Sequence, residues 1–158
     1  MEGIYMPRIL TSEECVARGV EPRSRLMENG EYRDSLTVGG NHGIGYILTT
    51  MPSDSGGGWQ NAHFHVKARE TYVVQKGWIA SALLLVPGGE PIYRIFREGG
   101  VFTTQPMQAH NVYMPAGAVI HTVRHGDVTG EKDWFASEEL DRLSKRLAEA
   151  DILRLAAE

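Results

Sequence analysis

The stretch from Gly57 to Gly77 limits what this chain can fold into more than any other part of the sequence. It holds His63 and His65, and residues two apart on a β-strand point to the same face of the sheet. Glu70 opens the run E-T-Y-V-V-Q, whose β-branched and aromatic residues predict a second strand. If the two strands pair as a hairpin across the short link V-K-A-R, the Glu70 carboxylate approaches both imidazoles. The sequence therefore predicts one site built from these three side chains.

The donor set of this site favours a bound metal, provided that a further imidazole joins it. Two neutral imidazoles and a carboxylate suit one divalent transition metal ion, such as Fe, Mn, Ni, Zn, Co or Cu. The chain has six histidines among 158 residues, so a chance pair is common, and His63 and His65 alone are better explained as surface or core-lining side chains. A further imidazole is offered by residues 115–125, which read P-A-G-A-V-I-H-T-V-R-H.

Together the two stretches resemble the cupin superfamily. The first cupin motif is G-x5-H-x-H-x3,4-E-x6-G, and this sequence fits it at every position, with Gly57, His63, His65, Glu70 and Gly77. The resemblance covers about residues 42–126. It implies an all-β fold, a double-stranded β-helix (jelly-roll or cupin barrel), with one metal ion deep inside.

The second cupin motif, G-x5-P-x-G-x2-H-x3-N, is matched less well. Pro115 and Gly117 fit, but Ala109 stands at the first glycine, three residues instead of two precede His121, and His125 stands at the final asparagine. We expect the turn at 115–118 to absorb the extra residue, which leaves His121 pointing inward. The resemblance then implies His63, His65, Glu70 and His121 as metal ligands, with His125 as the alternative to His121.

The implied site leaves two coordination positions open on a six-coordinate metal, enough for a bidentate substrate. We therefore expect a metal-dependent enzyme that isomerises or epimerises a small oxygen-rich substrate, a sugar or a hydroxy-keto compound. Two alternatives stay open, namely an Fe(II)- or Cu-dependent dioxygenase and a small-molecule-binding cupin without catalysis. The expected catalytic residues are Glu70 and Tyr72, which share a strand face. The expected substrate-binding residues are Gln60, Lys67, Arg94 and His110.

Length and local patterns predict one domain with additions at both ends. We expect an N-terminal extension over residues 1–41, a barrel over 42–128 and a C-terminal helix within 129–158. A capping box of Thr11 and Glu14 predicts a short helix that ends at Gly19, and the turn E-N-G-E predicts a hairpin of edge strands. The C-terminal helix is predicted to begin at Ser137 and to pack a stripe of apolar residues on its own barrel; the stripe is Leu140, Leu143, Leu147 and Ala150.

Composition limits the kinds of partner that this protein is expected to bind. The formal net charge of −4 gives no basic surplus for binding nucleic acid, and no segment is apolar and long enough to predict a membrane helix. A single cysteine, Cys15, excludes a disulfide within the chain and favours the cytoplasm. We expect a small-molecule substrate, no nucleic acid, no membrane, and a homodimer that forms mainly through the N-terminal strands.

Overall fold

Two antiparallel six-stranded sheets pack face to face in the computed structural model, which describes residues 8, 10–38, 44–126 and 132–155. The described strands are β1 (Val20–Leu26), β2 (Tyr32–Val38), β3 (Ile44–Thr50), β4 (Gly58–Trp59), β5 (His63–Phe64), β6 (Ala68–Lys76), β7 (Trp78–Leu84), β8 (Ile92–Arg97), β9 (Val101–Thr103), β10 (Ala109–Met114), β11 (Val119–Gly126) and β12 (Phe135–Ala136). The first sheet has the order β1-β2-β3-β11-β6-β9. The second has the order β12-β5-β10-β7-β8, with β4 paired to β10. The predicted all-β jelly roll is confirmed.

The main core lies between the sheets and follows the two-residue alternation of the strands. Along β6, Tyr72 and Val74 are buried while the residues between them are more exposed. They pack against Ile120 of β11 and against Val112 and Met114 of β10. The alternation thus assigns an inner and an outer face to each strand.

The predicted N-terminal elements are confirmed. Helix α1 (Ser12–Ala17) carries the complete capping box of Thr11 and Glu14, and Gly19 follows it with a φ of 72°. Strands β1 and β2 form the predicted antiparallel hairpin, and β1 is the edge strand of the first sheet.

The predicted hairpin between the two halves of the histidine motif is wrong. Strand β5 pairs with β10 and β12 in the second sheet, whereas β6 lies in the first sheet. The chain crosses between sheets because the Asp133 carboxylate accepts hydrogen bonds from the backbone N–H groups of Val66, Lys67 and Ala68, at 2.7, 3.1 and 2.7 Å. These bonds take the place of strand pairing, so His65 and Glu70 approach each other across the barrel.

The C-terminal segment forms two short helices instead of the single helix predicted. These are α2 (Glu138–Ser144) and α3 (Glu149–Leu155), and Ser137 makes no side-chain cap bond. Between them, the Leu147 carbonyl accepts the indole N–H of Trp59 at 3.2 Å, and the Ala148 N–H donates to the Asp151 carboxylate at 3.2 Å. The bond from Ala148 starts the new helix at this point.

This segment packs on its own barrel as predicted, but not through the whole predicted stripe, since Leu140 is buried, Leu143 and Leu147 are half-buried and Ala150 is exposed. Leu140 of α2 and Ile152 of α3 are fully buried against the outer face of the second sheet, where they join Ala80, Ala82 and Tyr113. Among the described residues, no helix is both long and apolar enough to cross a membrane. Residues 39–43 and 127–131 lie outside the described residues, so the division at 41 and 128 stays a prediction.

Candidate metal centre

Four buried side chains from both sheets form one compact donor group: His63, His65, Glu70 and His110. One ligand atom from each lies within 4.8 Å of all the others. The Nε2 atoms of His63 and His110 are 3.4 and 3.2 Å from Oε2 of Glu70, and Nε2 of His65 is 3.3 Å from Oε1. The three imidazoles therefore surround a single carboxylate.

Strand pairing and the crossing link bring these residues together. His110 on β10 lies directly opposite His63 on β5, which places two imidazoles side by side on the inner face of the second sheet. His65 follows at the start of the crossing, and Glu70 faces inward from β6 of the first sheet. The group thus sits between the sheets, next to the main core at Tyr72.

All three histidines bind a backbone carbonyl through Nδ1. His63 and His110 donate to the carbonyls of Asn61 and Gln108, each at 2.9 Å, and His65 donates to the carbonyl of Asp133. A carbonyl can only accept, so each Nδ1 carries the proton and a neutral ring has its lone pair on Nε2. Ligating histidines in proteins are fixed in this way by a partner of the second ring nitrogen.

The donor group fits a metal ion. Three Nε2 lone pairs and a carboxylate that face one another repel unless a cation lies between them. Nε2 of His65 has no hydrogen-bond partner although the residue is 1% exposed, and an unpaired buried polar atom costs about 1–3 kcal/mol. The residues His63, His65, Glu70 and His110 can therefore hold a divalent metal ion.

The protonation of Glu70 and Tyr72 follows from their surroundings. Burial alone raises the pKa of Glu70, but the surrounding imidazoles of His110, His63 and His65 outweigh it and hold the pKa well below its usual range. Burial and the adjacent Glu70 charge raise the pKa of Tyr72 well above its usual range. The Tyr72 hydroxyl donates to Oε2 of Glu70 at 2.6 Å. Glu70 is thus an ionised acceptor and Tyr72 a neutral donor.

Burial favours the neutral imidazole of His63 over the protonated one. Desolvation lowers the pKa of His63, and the Glu70 carboxylate offsets this only in part. For His65 desolvation also lowers the pKa, but the adjacent Glu70 carboxylate and the Asp133 carbonyl outweigh it and raise the pKa. The neutral form that a metal requires is therefore more favoured at His63 than at His65.

The structure corrects the prediction that His121 is the third imidazole. Ile120 and Thr122 are the inward residues of β11, so His121 points outward, where its Nδ1 bonds the Tyr46 hydroxyl at 2.7 Å. His125, the alternative, shares that outer face, and its Nε2 bonds the Thr71 hydroxyl at 2.8 Å. A one-residue difference in register reverses every side chain of a strand. His110, predicted to bind substrate, completes the group instead.

The sequence did hold a signal for His110. Gly100, five residues and Pro106 match the start of the second cupin motif one strand before the fit at Pro115, and His110 comes four residues after Pro106. The motif requires a glycine in this turn, and here Met107 adopts the left-handed conformation, with a φ of 64°. Both fits depart from the motif spacing by one residue, so spacing alone did not decide between them.

The other predicted substrate-binding residues lie apart from the donor group. The Gln60 side chain is buried and donates to the Glu31 carboxylate at 3.1 and 3.2 Å. Lys67 is exposed on the crossing link, and Arg94 is exposed on β8, the edge strand of the second sheet. Neither Lys67 nor Arg94 is among the described residues that line the cavity beside the group.

That cavity has a volume of about 510 Å³ and reaches the donor group at His63. Its walls are the inner face of the first sheet near β1 and β2, and the segment 132–134. Trp134 stacks on His63 with ring centres 5.3 Å apart. Sequence reasoning missed the positive wall of this cavity, formed by Arg23, Arg25, Arg33, Arg124 and Lys132. The alternation R-S-R in β1 was the available signal.

Comparison with known proteins identifies the fold only. No protein-family model and no curated protein matches the chain. Among solved structures, a single-residue variant of oxalate decarboxylase from Bacillus subtilis superposes with a TM-score of 0.58 and 18% identity, over 74% of this chain and 30% of that one. The oxalate decarboxylase formate complex from Lactobacillus farciminis gives a TM-score of 0.56 and 16% identity, over 78% of this chain and 35% of that one. The chain has the cupin fold, and it spans about a third of the length of these enzymes.

Proposed function

We propose that the protein is a metal-dependent enzyme that isomerises or epimerises a small oxygen-rich substrate, a sugar or a hydroxy-keto compound. The observation that carries the proposal is the convergence of three Nε2 atoms on Glu70 at the wall of an open cavity. A bound metal supplies Lewis acidity to a substrate carbonyl or hydroxyl oxygen, which lowers the pKa of the neighbouring C–H or O–H. The solved structures of similar fold are named as decarboxylases of oxalate, a small oxygen-rich acid.

We assign the roles in proton transfer to Glu70 and Tyr72, because they lie together at the donor group. In an isomerisation a base takes the proton from one carbon and returns it to the neighbouring carbon, while the hydroxyl proton passes to the former carbonyl oxygen. In an epimerisation the proton returns to the opposite face of the same carbon. The ionised Glu70 carboxylate is the base, and the neutral Tyr72 hydroxyl, which donates to Oε2 of Glu70 at 2.6 Å, orients it. No oxidant is consumed, so the reaction balances with the groups of this chain.

The test is exchange of substrate hydrogen with solvent. Protein purified without an affinity tag is analysed for metal, then incubated in D2O with a panel of aldoses, ketoses and hydroxy-keto compounds. We expect deuterium next to the carbonyl of one substrate by NMR, no oxygen uptake, and loss of exchange in Glu70→Gln.

Other outcomes identify the alternatives. Oxygen uptake with near-stoichiometric iron or copper would identify the protein as a dioxygenase instead of an isomerase. Tight binding of a panel member with neither exchange nor oxygen uptake would identify a binding protein. Arg97→Gln, on the exposed face of β8, is the matched control and keeps the activity of the unaltered protein.

A further inference from the structure

The cavity beside His63 has a wall of positive charge. Five cationic side chains and one acidic side chain, Asp133, are found among the described residues that line it. The cations come from three strands of the first sheet and from the segment after the barrel: Arg23, Arg25, Arg33, Arg124 and Lys132.

Strand geometry directs these charges toward the cavity. Arg23 and Arg25 lie two residues apart on β1 and share one face, and Arg25 lies directly opposite Arg33 on β2. Arg124 continues the inward series that begins with Ile120 on β11. Like charges directly opposite each other destabilise a sheet, and a bound anion removes that repulsion.

Three described carboxylates lie beside this wall. Nε of Arg33 donates to the buried Glu31 carboxylate at 2.5 Å, and Arg23 pairs with Glu21. Asp133 accepts three backbone N–H groups of the crossing link. Among the described residues that line the cavity, cationic side chains thus outnumber acidic ones five to one.

The cavity joins the positive wall to the metal-binding group. His63 lines the cavity and is also one of the four donors, so a single small molecule can reach both. The volume of about 510 Å³ falls in the range of small-ligand sites, roughly 300–1,000 Å³. Guanidinium groups bind carboxylate and phosphate oxygens in a bidentate manner.

We infer that this cavity is an anion subsite: it holds the carboxylate or phosphate of a small substrate while the oxygenated end of the same molecule meets the metal-binding group. The inference rests on the proposed function for the identity of the ligand as a substrate. It restricts the substrate class to hydroxy-keto acids or phosphorylated sugars, and it gives Arg25 and Arg124 the role of binding residues.

Calorimetry with two matched probe pairs tests the subsite. Pyruvate is compared with its neutral amide, and dihydroxyacetone phosphate with dihydroxyacetone, on metal-loaded and on chelator-treated protein. We expect one charged probe to bind at least about tenfold more tightly than its neutral partner in both preparations. The preference should shrink as salt rises from about 0.05 to 0.5 M. The pair that shows it distinguishes carboxylate from phosphate.

Substitution of the arginines tests whether the preference for a charged probe arises in the cavity. Arg25→Gln and Arg124→Gln should each lower the charged-to-neutral preference several-fold, whereas Arg97→Gln should leave it unchanged. If the half-buried Arg124 proves necessary for folding, Arg25→Gln alone tests the subsite, because Arg25 is exposed and its replacement should not disturb the fold. The subsite is overturned if neither pair shows a preference, or if the preference survives Arg25→Gln and Arg124→Gln together.

The same measurements separate this inference from the proposed function. If a charged probe binds more tightly than its neutral partner but no substrate exchanges hydrogen with solvent, the anion subsite is supported and the isomerase is contradicted. Solvent exchange that is equally fast for neutral and charged substrates would support the isomerase and would contradict the anion subsite.

Discussion

At the scale of single residues, the site depends on which nitrogen of each histidine is free. Carbonyl acceptors at Asn61, Gln108 and Asp133 bind the three Nδ1 atoms and leave every Nε2 directed at Glu70. The two remaining histidines of the described chain, His121 and His125, bond hydroxyl groups on the outer face of the first sheet. The chemistry of the side chain is the same in both settings, and the direction of the strand face decides its role.

Replacement of the third imidazole is the sharpest test at this scale. His110→Ala should weaken metal binding by at least about 100-fold, since loss of an outer partner alone costs 10–100-fold. His121→Ala, the matched control, should retain metal because its ring lies with Tyr46. Metal content after gel filtration, by mass spectrometry, measures both. Retention by the His110 variant together with loss by the His121 variant would contradict the donor group.

At the scale of elements, the crossing between β5 and β6 is the part of the fold that assembles the site. It is held by Asp133, a residue from beyond the barrel strands, whose carboxylate takes three backbone N–H groups and whose carbonyl takes Nδ1 of His65. Burial raises the pKa of Asp133, but the N–H groups of Ala68, Val66 and Lys67 outweigh it and lower the pKa. The crossing is therefore stabilised by an ionised carboxylate.

Removal of this carboxylate should destabilise the protein in a pH-dependent manner. Asp133→Ala leaves three N–H groups without their acceptor, of which that of Ala68 is buried and those of Val66 and Lys67 are part-buried, so the free energy of unfolding at pH 7 should fall by about 2–4 kcal/mol. A lowered folded-state pKa gives stability that is complete above the unfolded value, near pH 3.9, and is lost as the pH falls through the folded value. The difference between the two proteins should therefore shrink below about pH 4.

Urea unfolding at several pH values measures this effect. Asp133→Asn keeps one acceptor oxygen and should lie between the two proteins at pH 7. An unfolding free energy of Asp133→Ala equal to that of the unaltered chain at pH 7 would show that the crossing is held by other contacts.

At the scale of the whole molecule, the two ends of the chain cover different surfaces. The C-terminal helices bury Leu140 and Ile152 on the outer face of the second sheet. The N-terminal hairpin turns its arginines toward the cavity and leaves a set of apolar side chains exposed on its other face: Leu26, Tyr32, Leu36 and Val38. The polar pair of Ser24 and Asp34 lies among these side chains on the same face. Exposed apolar side chains in such number are typical of an interaction site. We propose that a second copy of the chain covers it.

The proposed dimer separates the roles of the two ends. Leu36→Glu places a charge in the proposed interface and should give a folded monomer, whereas Leu153→Glu, on α3 and 41% exposed, should stay dimeric. Deletion of residues 137–158 should lower the melting temperature, because it exposes the sheet face under Leu140, but leave the dimer assembled. Light scattering with circular dichroism measures both properties. A well-folded monomer after the deletion would contradict this division.

The sequence determined what depends on neighbours along the chain. Pattern alone predicted the features that depend on a few neighbouring residues. These are the i, i+2 spacing of His63 and His65, the shared inward face of Glu70 and Tyr72, and the capping box of Thr11. The fit to the first cupin motif added the barrel, which the superposition confirms.

Only the tertiary structure decided which distant residues join the local ones. His110 reaches His63 through strand pairing, and Asp133 holds the crossing from 65 residues further along than Ala68. The register between strands depends on how each turn absorbs an extra or missing residue, and one residue exchanges the inner and outer faces. The sequence therefore favoured His121, with His125 as the alternative, and the packing of the two sheets brought His110 to the group instead.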